Sequence, residues 1–275
     1  MASQTRSPNW IIQHQLWLYF VLAFALSWSM WPLMLLNPDS TPLVPFGPAL
    51  AAVIVTALAG GRRGLLALLG QLGRWRVNPL WYAVAVLTPF LIMLLAAGIT
   101  VALGGPAPSL AAYADVPTLV LTLLSTMVIV GLFEELGWRG YALPTLQRGH
   151  GALWSAVVVG TVWALWHLPE LVSDPTGQRP PLPFAVAIVA QSVLFAWAYT
   201  STRGALPIVI VFHAAVNTAG RYLLPEFTGA HYSTVWWTMA ALYVAAAAAV
   251  TAYPGTQRLT TIQKTEDRDC PTRTT

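Results

Sequence analysis

Residues 118–138 read TLVLTLLSTMVIVGLFEELGW, and Arg139 follows directly. The run is apolar except for adjacent Glu134 and Glu135, and it has the length of about 20 residues that a membrane-crossing helix needs. An ionised side chain at that depth costs on the order of 3 kcal/mol on insertion scales. Two neighbouring carboxylates also repel each other, so the pair requires a compensating partner or a proton. An ionisable residue inside a span is read first as a functional site.

The rest of the chain fits that reading. Of its 275 residues, 56% are hydrophobic and only 9% are charged, against roughly 25% charged in a soluble domain. The composition excludes an ordinary soluble enzyme and defines an all-α, polytopic membrane helix bundle. The 13 Trp and 9 Tyr suit two interfacial aromatic belts. The formal charge of +4 reports orientation rather than affinity for nucleic acid, so the bilayer is the expected partner and nucleic acid is not. Cys270 is the single cysteine, which excludes an internal disulfide and a cysteine metal site. It stands sixth from the end, whereas a prenylation signal places cysteine fourth. The first apolar run, Trp10 to Leu36, is too long for the core of a signal peptide and follows only one basic residue, Arg6, so it reads as a retained span.

Eight spans are expected, at about Trp10–Leu36, Leu43–Ala59, Leu80–Leu103, Thr118–Trp138, Ala152–Leu168, Pro183–Thr200, Ala205–Ala219 and Ser233–Tyr253. The second, fifth and seventh are short. With both termini in the cytoplasm, 12 basic residues fall inside and only Arg179 and Arg221 outside, as the positive-inside rule requires. Residues 1–254 form the membrane-embedded domain, with a motif-bearing core at 118–219. Residues 255–275 are polar, Thr-rich and expected to be disordered.

Three polar constellations lie in this apolar background. Glu135 and Arg139 are four residues apart and share a helix face, where an ion pair would offset burial. Glu134 lies about 100° round the helix, which leaves it as the free carboxylate available as a base. The plainer alternative is one charge network at the cytoplasmic surface. His213 and Asn217, also four apart, should project into the bundle, as oxyanion donors or as a helix–helix hydrogen bond. His167 follows Trp163 by four residues and precedes Pro169; taken alone it reads equally as an interfacial histidine. Together, one carboxylate, two imidazoles and an amide are what water-activated acyl transfer requires.

Glu134-Glu135-Leu136-Gly137-Trp138-Arg139 matches an EExxxR motif, Trp163 to His167 looks like FxxxH, and His213 to Asn217 matches HxxxN. In this order they resemble the CAAX prenyl protease and bacteriocin-processing family, also called the abortive-infection family. The resemblance implies an intramembrane glutamic endopeptidase. Carried over, Glu134 is the general base with His167 its partner, His213 and Asn217 form the oxyanion hole, and Glu135, Arg139 and Trp163 support them. Trp163 stands where the family usually has Phe, an exchange expected to alter pocket shape more than chemistry. Glu134 lies toward the cytoplasmic side of its helix and His167 toward the outer end of its own. At 1.5 Å per residue the offset exceeds about 10 Å. Tilt, a fourth helix running past Gly140, or a break at Pro169 has to close it.

The resemblance implies no cofactor. A zinc peptidase using Glu134, His167 and His213 is the nearest rival, since three N/O ligands plus water form an acceptable catalytic shell, although no HExxH motif is present. A non-catalytic scaffold or immunity protein is a second rival. A proton-coupled transporter is a third, without the internal repeat common in such folds. The expected substrate is a membrane-associated peptide or protein, with or without a lipid, and the expected location is the plasma (inner) membrane of a prokaryote.

Overall fold

The computed structural model describes residues 9–35, 37, 42–173 and 179–252. The 255–275 tail lies outside these residues, as do Arg6, Asp39, Asp174, Cys270 and both chain ends. Among the described residues the chain is helical throughout and contains no strand. This is the expected response of apolar runs to lipid, where every backbone N–H and C=O must be satisfied within the segment.

The helices are α1 (Asn9–Trp28), α2 (Gly47–Gly70), α3 (Leu80–Ala102), α4 (Ala111–Ala114), α5 (Val116–Thr126), α6 (Leu132–Gly137), α7 (Leu143–Gln147), α8 (Ala152–Trp166), α9 (Leu168–Val172), α10 (Pro181–Ser201), α11 (Leu206–Leu223) and α12 (Gly229–Ala252). π-helical turns at Met127–Gly131 and Trp138–Ala142 join α5, α6 and α7 into one continuous rod. α1 packs on α2, α2 on α6, α8 on α10, and α10 on α12. α11 packs on α3 and α5, and α3 also meets α12. α10 and α11 are the most enclosed. The perimeter exposes large apolar side chains such as Trp17, Val21, Leu91 and Leu121, the surface that a lipid-facing bundle presents.

Among the described residues seven stretches are long and apolar enough to cross a membrane, and α8 is a shorter apolar helix. Eight spans were expected. α8 has 15 residues, about 22 Å of rise, against a hydrocarbon thickness of about 30 Å. Its shortness has a local cause: Pro169 has no N–H to give the Leu165 carbonyl and its ring crowds it, and the chain leaves the helix at His167 (φ −78°, ψ 1°). The expected end of the second span also marks a real discontinuity. Gly61 (φ 56°, ψ −153°) breaks α2 in a region open in practice only to glycine.

Close packing sets the position of the motif helix. A Cβ on Gly137 would lie 2.5 Å from Pro48 Cβ and 2.6 Å from Pro48 O. Glycine there lets α6 approach α2 backbone to side chain, in the manner of small residues at membrane helix contacts.

Candidate active site

α6 delivers Glu134 and Glu135, and the π turn after it delivers Arg139. The ion pair read from the spacing is present: Arg139 Nη1 donates to Glu135 Oε1 at 2.8 Å, both side chains being fully buried. α11 adds His213, whose Nδ1 donates to the same carboxylate oxygen at 2.8 Å. Arg139 also lies between two rings, its Cζ 4.6 Å from the centroid of Trp163 and 4.8 Å from that of Phe195. This cation–π sandwich faces a guanidinium whose Nε and Nη2 have no hydrogen-bond partner among the described residues.

Glu134 stands apart from that network, as its place on the helix required. It is buried and takes a hydrogen bond from Trp163 Nε1 to Oε2 at 2.7 Å. The backbone carbonyl of Trp163 accepts from His167 Nδ1 at 2.8 Å. A carbonyl can only accept, so His167 carries its proton on Nδ1 here and Nε2 is the nitrogen left for chemistry. One residue of α8 thus holds both Glu134 and His167.

Two of the proposed remedies for the axial offset occur together. The fourth span runs past Gly140 to Gln147, and α8 ends at His167 ahead of Pro169. Both motif segments are therefore bound to Trp163 without a long gap between them. The π turns on either side of Glu134 and Glu135 are of the kind found at functional sites.

Two expectations are corrected. The Trp163-for-Phe exchange is chemical as well as spatial, because the indole N–H reaches Glu134 and a phenyl ring has no donor. Asn217 is exposed, not turned into the bundle. α11 packs on α3, α5 and α10, and Asn217 falls on the strip these neighbours leave open. His167 is half-buried and His213 buried.

Tyr19 of α1 was missed by the sequence reading. It is fully buried, and its ring meets those of Trp138 and Tyr141 on either side of Arg139 in sequence. A tyrosine at mid-span, away from either aromatic belt, is the signal that could have found it. Gln71 was also missed. Its Nε2 donates to Gly140 O at 3.0 Å, and its Oε1 accepts from Tyr199 Oη at 2.6 Å, tying the turn beside Arg139 to α10. Among the described residues no three His, Cys, Asp or Glu side chains converge as metal ligands.

Bundle and site together define a polytopic membrane protein with a carboxylate, two imidazoles and a buried ion network gathered on three of its helical segments. Residues 116–219 match the family described as type II CAAX prenyl endopeptidase Rce1-like, and all three motifs lie inside that match. CAAX prenyl protease 2 of Methanococcus maripaludis is 31% identical over 110 residues, 37% of this chain and 39% of that protein. The chain thus spans about two fifths of the length of the relative it matches, and the likeness to this family is confined to the motif-bearing segment.

Proposed function

We propose that this protein is an intramembrane endopeptidase that hydrolyses a peptide bond in a membrane-associated protein or peptide. The observation that carries the reading is the separation of the two glutamates. Glu135 is paired with Arg139 and accepts a hydrogen bond from His213. Glu134 accepts from the Trp163 indole N–H and has no ion-pair partner among the described residues.

In this scheme water reaches Glu134 past the half-buried His167. Glu134 removes a proton from it while Nε2 of His167 orients the molecule. The water oxygen attacks the scissile carbonyl, and negative charge builds on the carbonyl oxygen. Asn217 and, when it carries a second proton on Nε2, His213 one helical turn away on α11 donate hydrogen bonds to that oxyanion. Collapse of the tetrahedral species breaks the C–N bond. The proton held by Glu134 passes to the departing amine, restoring the carboxylate. Glu135 and Arg139 touch no reacting atom in this scheme; they fix His213.

The name of the archaeal relative specifies a CAAX prenyl protease, so the first substrate class to try here is a lipidated C-terminal peptide. Purified protein is incubated with prenylated and unprenylated peptides, wild type against Glu134→Gln, with and without chelator. The expected result is cleavage by wild type that survives chelation and falls at least about 100-fold in the variant. Loss on chelation, restored by zinc, would replace this mechanism with the zinc alternative. Full biological activity of Glu134→Gln would point to a scaffold or immunity role.

A further inference from the structure

Away from the site, three arginines converge on one cleft. After α2, a 3-10 turn at Gln71–Gly73 leads into Arg74-Trp75-Arg76. After α10, Thr202-Arg203-Gly204 turns the chain into α11. The two connections border a cleft of about 620 Å³ lined by Arg74, Trp75, Arg76, Thr202 and Arg203, with no acidic residue. Arg74 Nη1 donates to the Arg203 carbonyl at 2.7 Å, which fixes one guanidinium in the cleft. Arg203 itself has φ 55°, an uncommon conformation for a residue with a side chain. Arg76 lies over the Trp75 ring at 4.9 Å. None of the three forms an ion pair among the described residues.

The positive-inside rule accounts for arginines on this side of the membrane. It does not account for three of them lining a single concavity, where like charges repel unless an anion sits among them. Guanidinium groups suit phosphate, which they can bind in bidentate fashion. The surroundings select a lipid over a free anion. Trp75 is 58% exposed and Leu80, the first residue of α3, is 66% exposed. Leu87 and Leu91 continue an exposed apolar track along the same helix. A phosphate headgroup in the cleft would leave its acyl chains on that track. We infer that the cleft formed by Arg74, Arg76 and Arg203 binds the headgroup of an anionic phospholipid.

The test uses the purified chain in detergent, incubated with phosphatidylglycerol, phosphatidylcholine or inorganic phosphate and read by native mass spectrometry. This readout does not depend on protease activity, so it stands or falls separately from the proposed function. Phosphatidylglycerol should be retained at least about tenfold more tightly than phosphatidylcholine. Arg76→Gln with Arg203→Gln spares the Arg74 side chain and should weaken retention about 25-fold, about fivefold per arginine. Arg62→Gln with Arg63→Gln removes the same charge outside the cleft and should change it less than about twofold. Equal losses in the two pairs would reduce the effect to general surface charge and overturn the site. Equal retention of phosphatidylcholine would overturn it too. Inorganic phosphate binding as tightly as the lipid would make the cleft a free-anion site and refute the lipid assignment.

Discussion

Trp163 meets four polar residues at once. Its indole N–H holds Glu134, its carbonyl holds His167, its ring face covers Arg139, and its ring packs against His213 with centroids 5.2 Å apart. Trp163→Phe keeps an aromatic ring over Arg139 and removes only the donor to Glu134. A hydrogen bond to a charged group is worth about 1.5–3 kcal/mol. We therefore expect kcat to fall about tenfold or more with KM within about twofold, measured by steady-state peptide cleavage; an unchanged kcat would show that the indole N–H does not position Glu134. Arg139→Met tests the ion network differently, because it leaves Glu135 buried with only His213 as partner. Breaking a buried pair in this way costs about 3–5 kcal/mol, so the variant should unfold well below wild type in a detergent melting assay. The sequence spacing was enough to pair Glu135 with Arg139, since four residues of helix put two side chains on one face whatever the fold does. The Trp163–Glu134 contact could not be read that way. It depends on how α8 lies against α6, and nothing local to either segment encodes that approach.

At the scale of elements, the motif helix is positioned by what interrupts regularity around it. The π turns at 127–131 and 138–142 carry no residue-type signal, because apolar residues look alike whether the backbone bonds to the fourth or the fifth residue back. The end of α8, by contrast, was foreshadowed by Pro169. Gly137 belongs to the motif, and the reason for it is packing: any Cβ there strikes Pro48. Gly137→Ala should push α6 off α2 and cost about 1–3 kcal/mol, read as a lowered melting temperature with activity lost in parallel. Wild-type stability in that variant would mean that α2 yields freely at Pro48. Gln71 ties the turn carrying Arg139 to α10, and its two bonds lie in a buried site. Gln71→Leu strands the Gly140 carbonyl and the Tyr199 hydroxyl, a loss of about 1–3 kcal/mol per buried group. It should lower the melting temperature without changing which peptides are cleaved.

For the whole molecule, α8 decides the topology. Among the described residues seven stretches reach membrane length, and an odd number of crossings would put the two chain ends on opposite sides. The division of 12 basic residues against 2 follows from the expected placement of both ends inside, and that asymmetry survives only if α8 makes an eighth crossing. Hydropathy saw α8 as a weak span because the helix is short. The structure shows one face of it packed along α10, one of the most enclosed helices, while Leu153, Trp154, Val157 and Leu165 leave the other face exposed. A short helix packed in this way can cross, since its ends need not meet the full thickness of undisturbed bilayer. The chain offers a direct test, because Cys270 is its only cysteine. A membrane-impermeant maleimide should label Cys270 in inside-out vesicles and leave it unlabelled in intact cells. A Ser3→Cys variant with Cys270→Ser should give the same pattern. Labelling of the two positions from opposite sides would show that α8 enters and leaves by the same face, and the orientation derived from the arginines would then hold for only one half of the chain.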